Sequence, residues 1–346
     1  MNIPDIRIDR RGFVVGSSLA LVACAADELV EPSKRQFLIE STDDRIDRVL
    51  FPDRPPEVIG SGFKWVEGPT WDTKRRKLYF SDLPNNRIHS WDSAEGLGIL
   101  RDPAGSGDAP DFMMPATNGL WYLEDEDELL VCDQDSRSIL KYDMESMEAE
   151  PFVTAGDGAA YNSPNDLVVA SDGSVYFTDP PYGHIDFAKS ADQLRDVSGV
   201  YHRSPSGAVS LVDGDLTQPN GIALSPDEQS MYVAISDPDA PRIVRYRLSD
   251  GVWQRDAETW FDMTVFQADE SPGMPDGMAV ATDGTIFATA PGGVAILTPD
   301  AEVLGRIVTG MPTGNCCFGE GGSTLFITAN DTVLRVPTRL NGLSHS

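Results

Sequence analysis

The sequence predicts an all-β fold, a six-bladed β-propeller with a metal site on its central axis. One observation is that a unit of strand, tight turn and strand recurs six times along the chain. Another is that 31 Gly and 25 Pro are scattered singly, which is typical of many short strands joined by turns. A third is that each unit begins with a polar side chain that carries an oxygen.

The composition indicates a globular protein with a large core and excludes two classes of partner. Of its 346 residues, 40% are hydrophobic and 24% are charged. The formal net charge of −28 would repel nucleic acid and anionic lipid surfaces, so neither is an expected partner.

Residues 1–24 are predicted to form an export signal that lies outside the fold. Arg10 and Arg11 precede an apolar run that is too short to span a bilayer, an order that resembles a twin-arginine signal. The run ends in LVAC, which resembles a lipobox, so Cys24 is a candidate lipid anchor. We therefore expect an exported protein, either periplasmic or held as a lipoprotein that faces the periplasm. The alternative is a buried or frayed N-terminal segment.

Three further segments complete the predicted organisation. Residues 25–56 form an N-terminal arm, residues 57–337 form the propeller, and residues 338–346 form a C-terminal tail. Within the arm, Thr42–Phe51 is the best helix candidate, with Thr42 as its N-cap.

Apart from Cys24, the cysteines are too few and of odd number for a disulfide framework. They are Cys132, Cys316 and Cys317. The adjacent Cys316 and Cys317 are expected to be two small residues on a strand, and the alternative is a strained vicinal bridge.

The repeat consists of a polar residue, an apolar strand, an acidic or Gly-bearing turn such as SDG, and a second apolar strand. Its copies begin near Val66, Thr117, Pro164, Pro219, Pro275 and Gly314. Several copies continue into a third strand, and their spacing of roughly 40 to 55 residues fits a propeller blade. The segment from Glu57 is predicted to supply the outer strand of the sixth blade, so that the two chain ends close the ring and remove open sheet edges. A two-sheet sandwich, the alternative fold, gives no reason for the six-fold recurrence.

The polar residue that directly follows the first residue of each copy is a candidate for a ring around the axis. These residues are Glu67, Asn118, Asn165, Asn220, Asp276 and Asn315. All six carry an oxygen, none carries a positive charge, and a hard divalent cation would relieve the repulsion between the carboxylates. Ca²⁺ suits such ligands best, Mg²⁺ and Mn²⁺ are also acceptable, and Zn²⁺ is disfavoured without being excluded. The alternative is that Asn and Asp simply serve as turn residues before Gly, a role that Glu67 does not fit.

Four motifs carry a family resemblance: WVEGPTW (65–71), NSPNDLVVASDGSVYFTDPPYG (162–183), QPNGIALSPD (218–227) and MPDGMAV (274–280). With them the chain resembles the gluconolactonase, senescence marker protein and luciferin-regenerating enzyme family of calcium-dependent six-bladed propellers. The resemblance implies that Glu67, Asn220 and Asp276 bind one catalytic divalent metal. It also implies that Asn165 lies beside metal and substrate, and that Asn118 contacts the substrate.

One segment departs from the family pattern. Related sequences usually carry a basic residue shortly before the ND motif, whereas this chain has GAAYNSPND there, with Ala159, Ala160 and Tyr161. A different polar partner or an apolar substrate face is expected, so specificity for sugar lactones stays open.

The resulting expectation is a metal-dependent hydrolase that opens a small lactone. The metal would stabilise the developing oxyanion, Asp276 would orient or deprotonate the attacking water, and Asn165 would orient the substrate or oxyanion. Asp166 and His184 are candidates for a second base. Alternatives are an esterase or phosphotriesterase that uses the same site, and a non-catalytic propeller that binds a partner at the cell surface.

Overall fold

The computed structural model describes residues 37–105, 116–155, 160–184, 195–267 and 271–343. The predicted export signal, and Cys24 with it, lies outside the described residues. Within the described ranges no helix is long and apolar enough to cross a membrane.

In these described ranges, six antiparallel sheets follow one another in sequence, and their strands are β1 to β25. The first two strands are β1 (Leu38–Ser41) and β2 (Glu57–Ser61). Blade 1 contains β3 (Val66–Asp72), β4 (Lys77–Asp82), β5 (Arg87–Asp92) and β6 (Gly96–Arg101). Blade 2 contains β7 (Thr117–Leu123), β8 (Glu128–Asp133), β9 (Ser138–Asp143) and β10 (Ala149–Val153). Blade 3 contains β11 (Leu167–Val169), β12 (Val175–Asp179), β13 (Gly199–Arg203) and β14 (Val209–Asp213).

The second half of the chain continues the same pattern. Blade 4 contains β15 (Pro219–Leu224), β16 (Ser230–Ile235), β17 (Arg242–Ser249) and β18 (Val252–Asp262). Blade 5 contains β19 (Met278–Val280), β20 (Ile286–Ala290), β21 (Gly293–Leu297) and β22 (Val303–Val308). Blade 6 contains β23 (Thr313–Gly319), β24 (Thr324–Ala329) and β25 (Thr332–Pro337). Short 3-10 helices span Asp44–Arg48, Leu83–Asn85 and Met263–Phe266.

The first strands of the six blades line the centre, and each contacts the first strand of the next blade around a closed ring. The ring closes where β2 pairs with β25, in a register that runs from Glu57 opposite Arg335 to Ser61 opposite Thr332. The predicted closure by the segment from Glu57 is therefore confirmed. Because this seam joins the two ends of the ring, neither end is left as an unpaired edge.

The described part of the arm packs onto the ring instead of lying apart from it. Strand β1 pairs with β22 and adds a fifth strand to blade 5. The helix prediction for the arm is wrong in length and in cap. Only the five residues Asp44–Arg48 form a 3-10 turn, and Asp43 caps it by accepting a hydrogen bond from Arg45 N at 2.8 Å. The hydroxyl of Thr42 donates instead to the carbonyl of Val303 at 3.1 Å.

The core consists of six apolar clusters, and each lies mainly between two neighbouring blades. Between blades 1 and 6, for example, Trp71 stacks on Phe326 with ring centroids 5.4 Å apart. All three described cysteines are buried free thiols, so the vicinal bridge is excluded in favour of two strand residues. Since adjacent blades share each cluster, every blade depends on its neighbours for burial.

Candidate active site

The six predicted ring residues meet at one end of the central channel. They lie in or just before the first strands of the blades, and five of them are at least 93% buried: Glu67, Asn118, Asn165, Asn220 and Asn315. Asp276 is partly exposed. The predicted convergence of these side chains is therefore observed.

Local irregularities in the strands aim these side chains at the axis. The pairing of first and second strands shifts register between Glu67 and Thr70, and between Thr117 and Leu120. Equivalent shifts occur in blades 4 and 6. A bulge bends a strand and redirects a side chain, so the polar residues leave the regular alternation where they reach the channel.

The Gly that follows several ring residues allows neighbouring blades to approach closely. A Cβ at Gly68 would lie 2.2 Å from the carbonyl oxygen of Asn118 in the next blade. A Cβ at Gly221 would lie 2.2 Å from the carbonyl oxygen of Asp276. Both positions therefore require Gly for space, and Gly68 also has a positive φ of 49°.

Hydroxyl groups on the second strands hold the backbone of the ring. Thr289 accepts a hydrogen bond from Asp276 N at 2.7 Å, and Thr328 accepts one from Asn315 N at 3.0 Å. Thr178 donates to the carbonyl of Asn220 at 2.7 Å. These hydroxyl residues were not predicted, although a Ser or Thr recurs near the end of most second strands, as in FSD, FTD and FAT.

The side-chain amides of blades 2, 3 and 4 form a directional chain of hydrogen bonds. Asn118 Nδ2 donates to Asn165 Oδ1, and Asn165 Nδ2 donates to Asn220 Oδ1. Asn220 Nδ2 then donates to the hydroxyl of Ser236 at 2.9 Å. The oxygen and nitrogen of each amide thus have distinct neighbours.

The carboxyl groups of the ring lie close enough to interact strongly. Glu67 accepts hydrogen bonds from the indole Nε1 of Trp65 and from Gly68 N, each at 3.2 Å. Asp166 joins the ring from blade 3 and accepts a hydrogen bond from Asn315 Nδ2 at 3.2 Å. The sequence suggested Asp166 only as a second base, whereas it belongs to the same group of interacting carboxyls.

Burial and mutual repulsion favour the protonated forms of these acids. Burial raises the pKa of Glu67 to about 8, and the negative charge of Asp166 contributes. Burial also raises the pKa of Asp276 well above its usual range, with Glu67 and Asp166 adding repulsion. Burial raises the pKa of Asp166 to about 6. In the part of the chain that the structure describes, no Lys or Arg forms an ion pair with any of the three.

The donor set fits a hard divalent cation. Carboxyl groups with raised pKa values lie beside amide side chains at this end of the channel, and a positive charge there would offset the repulsion. Within the described ranges, no group of three or more His, Cys, Asp and Glu side chains could hold a metal without other donors. A cation at this end of the channel would therefore depend on amide oxygens as well as on carboxylates.

A cavity of about 500 Å³ continues the channel beyond the ring towards the opposite face. Asp166 and Asn315 are among its lining residues, and Glu124, Asp125 and Glu126 lie along it as well. Asp166 therefore borders this cavity, whereas Glu67, Asn220 and Asp276 do not line it.

The loop after β12 carries two residues of interest. Tyr182 donates its hydroxyl to the carbonyl of Gln218 at 2.9 Å, and the Asp276 charge contributes to raising its pKa, after burial as the larger cause. No role for Tyr182 was predicted from the sequence, although it lies within the 162–183 motif. His184 is buried, and its Nε2 contacts the carbonyl of Asn162 at 2.8 Å, so the structure places it against the segment that leads to Asn165.

Two arginines from other parts of the chain approach the segment that lacks the expected basic residue. Arg137 Nε donates to the carbonyl of Tyr161, and Arg195 Nε donates to that of Ala160 at 3.2 Å. Positive charge near the ND motif thus comes from the turn after β8 and from the segment before β13. Because Arg137 and Arg195 lie far from this segment in the sequence, their approach to it was not predicted.

The raised pKa values predict how the stability of the metal-free protein depends on pH. Between pH 4.5, the ordinary pKa of Glu67, and about 8, the folded chain holds a proton that the unfolded chain has released. The free energy of unfolding should therefore fall as pH rises through this window, and added Ca²⁺ should oppose the loss at the high end. Urea unfolding in chelator at pH 5 and pH 8 measures the change. Glu67→Gln should reduce this pH dependence, and an unaltered dependence would contradict the assignment.

Comparisons with known proteins support the relationship suggested by the motifs. Residues 65–331 match the SMP-30/Gluconolactonase/LRE-like region. A gluconolactonase from Zymomonas mobilis is 39% identical over 310 residues, which cover 86% of this chain and 85% of that protein.

Solved structures agree with this relationship. A gluconolactonase from Xanthomonas campestris superposes with a TM-score of 0.74 and 28% identity, covering 87% of this chain and 94% of that one. Regucalcin from Agrobacterium tumefaciens, a calcium-binding protein, shares the fold with a TM-score of 0.64 and 19% identity, covering 83% and 94%. With most of the chain matched by the family region and by a close relative, this protein belongs to the SMP-30/gluconolactonase/LRE-like family.

Proposed function

We propose that the protein is a divalent-metal-dependent lactonase that opens a sugar lactone or a related small lactone. The observation that carries this proposal is the convergence of Glu67, Asp276 and the amide side chains at one end of the channel. The Z. mobilis and X. campestris relatives are gluconolactonases, which supports this substrate class. The calcium-binding relative supports Ca²⁺ as the cation.

Glu67, Asn220 and Asp276 would hold the cation. When bound, a divalent cation would polarise the lactone carbonyl and offset the negative charge that develops on its oxygen. Glu67 is only 4% exposed and already accepts two hydrogen bonds, which suits a ligand that stays in one place.

Asp276 suits a different task because, unlike Glu67, it is partly exposed. Its carboxylate would accept a hydrogen bond from the attacking water and orient it towards the carbonyl carbon. Asn118 and Asn165 would orient the substrate through their amide groups. The identity of a second base is left between Asp166 and His184, and the contact of His184 with the carbonyl of Asn162 favours Asp166.

The experiment is a hydrolysis assay with aldonolactones, aryl esters and phosphotriesters, with metal analysis of the same preparation. The proposal expects lactone hydrolysis that is lost in chelator and restored by Ca²⁺. Turnover of esters or phosphotriesters alone would support the alternative hydrolases. Absence of all three activities in the metal-loaded protein would favour a binding propeller.

We also propose that the protein is exported and that Cys24 carries a lipid. The twin-arginine-like pair and the LVAC stretch support this proposal. Labelling of cells with a radioactive fatty acid should tag the wild type and leave Cys24→Ala unlabelled. Labelling of neither protein, with both found in the cytoplasm, would overturn it.

A further inference from the structure

We propose that Ser236 is a positioning residue that fixes which atom of the Asn220 amide faces the cation. This inference rests on the proposed metal-dependent function. Ser236 directly follows β16 and accepts a hydrogen bond from Asn220 Nδ2 at 2.9 Å. Its hydroxyl also donates to the carbonyl of Pro275, the residue before Asp276.

The direction of the hydrogen bond between Asn220 and Ser236 follows from the chemistry of Pro275, the other partner of the Ser236 hydroxyl. A backbone carbonyl can only accept a hydrogen bond, so the single hydroxyl proton of Ser236 is committed to Pro275. The hydroxyl oxygen can then only accept from Asn220, which requires the NH₂ group of Asn220 on that side. Asn220 Oδ1 is consequently directed away from Ser236, towards Asn165 Nδ2.

The same polarity extends to the other amides. Because Asn220 presents its oxygen, Asn165 must turn Nδ2 towards it, and Asn118 must then turn Nδ2 towards Asn165. One hydroxyl between blades 4 and 5 therefore determines the orientation of three amides. A reversed Asn220 amide would present N–H donors to a cation, which binds oxygen.

The backbone around Ser236 holds the hydroxyl in place. Ser236 N donates to the carbonyl of Gln218 at 3.0 Å, and the hydroxyl of Tyr182 donates to the same carbonyl at 2.9 Å. Pairing at this end of β15 and β16 thus places Ser236 across from Gln218, with its hydroxyl within reach of the Asn220 amide. Ser236 therefore acts through Asn220, the proposed metal ligand, and is not itself placed in contact with the reacting atoms.

The test uses Tb³⁺ in place of Ca²⁺, since Trp65 contacts Glu67 and can sensitise Tb³⁺ luminescence at this site. Ser236→Val removes the hydroxyl, and Ser236→Thr keeps the hydroxyl in a side chain of nearly the same shape as Val. We expect Ser236→Val to weaken Tb³⁺ binding about 10- to 100-fold, as is usual for partners of metal ligands, and Ser236→Thr to stay within about threefold of wild type. Ser230→Ala, at the other end of β16, is the matched control and should bind as wild type.

A second variant separates orientation from general damage to the fold. Asn220→Asp has oxygen at both terminal positions, so its orientation no longer matters. In an Asn220→Asp background, the same Ser236→Val change should cost less than about threefold in affinity, and the double-mutant cycle measures the difference. An equal loss in both backgrounds, or no loss in either, would overturn the inference.

Failure of the proposed function is distinguishable from failure of this inference. If wild type binds neither Tb³⁺ nor Ca²⁺, the metal-dependent function is overturned and the role of Ser236 with it. If wild type binds both and Ser236→Val binds as tightly, only the role of Ser236 is overturned.

Discussion

Asp276→Asn is expected to lower kcat/KM for lactone hydrolysis at least about 100-fold. The substitution keeps the shape of the side chain and removes its negative charge from the proposed cation site. Losing an outer partner of a metal ligand already costs about 10- to 100-fold, so loss of Asp276, proposed as a charged ligand that also orients water, should cost no less. Steady-state kinetics at saturating Ca²⁺ measure the contribution of Asp276 to catalysis, and a Ca²⁺ titration measures its contribution to cation binding.

The matched control is Asp283→Asn in the same blade. Asp283 is exposed and accepts a hydrogen bond from Thr285 N at 2.9 Å in the turn between β19 and β20. This variant should keep nearly full activity. Undiminished turnover in Asp276→Asn would instead reject Asp276 as both metal ligand and catalytic residue, and Glu67→Gln provides the same test for the second carboxylate.

Gly221→Ala is expected to lower the free energy of unfolding by about 3 kcal/mol, at the upper end for overpacking a tight site. Its Cβ would lie 2.2 Å from the carbonyl oxygen of Asp276 and 2.6 Å from the Cα of Gly277. Both are backbone atoms of the next blade, so relief requires blades 4 and 5 to move apart. Such movement would also shift Asn220 relative to Asp276 and weaken Ca²⁺ binding. Denaturant unfolding and Ca²⁺ titration measure the two effects.

Gly98→Ala is the control for this change. Gly98 lies in β6, the outer strand of blade 1, and a Cβ there would meet only the hydroxyl of Ser90, at 2.8 Å. That side chain can rotate away, so the loss should stay below about 1 kcal/mol. A loss in Gly221→Ala no larger than in Gly98→Ala would show that the blades have room at this contact.

The architecture could be predicted because propeller blades repeat. Six copies of one strand–turn–strand pattern, at blade-like intervals, indicate a ring before any contact is known. The closing strand from Glu57 was predictable for the same reason, since a ring with an incomplete last blade needs a partner from the other chain end. The arm was predicted less well. Its pattern suggested a helix over Thr42–Phe51, whereas only Asp44–Arg48 form a helical turn, after a strand, β1, that pairs with β22.

The candidate site, like the fold, was predicted only in part. Equivalent positions in the repeat identified the six ring residues together, and the family resemblance singled out Glu67, Asn220 and Asp276 among them. The grouping of Asp166 with these acids, the contact of Tyr182 with Gln218 and the hydroxyl of Ser236 were not predicted. The first two depend on residues from different blades, and Ser236 links Asn220 of its own blade to Pro275 of the next. No local pattern encodes which blades face each other across the axis.

The amino-acid sequence by itself determined the number of blades, the closure of the ring and the kind of atom offered at its centre. These follow from hydrophobic periodicity and from residue type, which are local properties of the chain. The tertiary structure alone decided how the amides are oriented, how strongly the carboxyls repel one another and where Gly is required for space. Those properties depend on distances of a few ångströms between blades, and only the closed ring sets such distances.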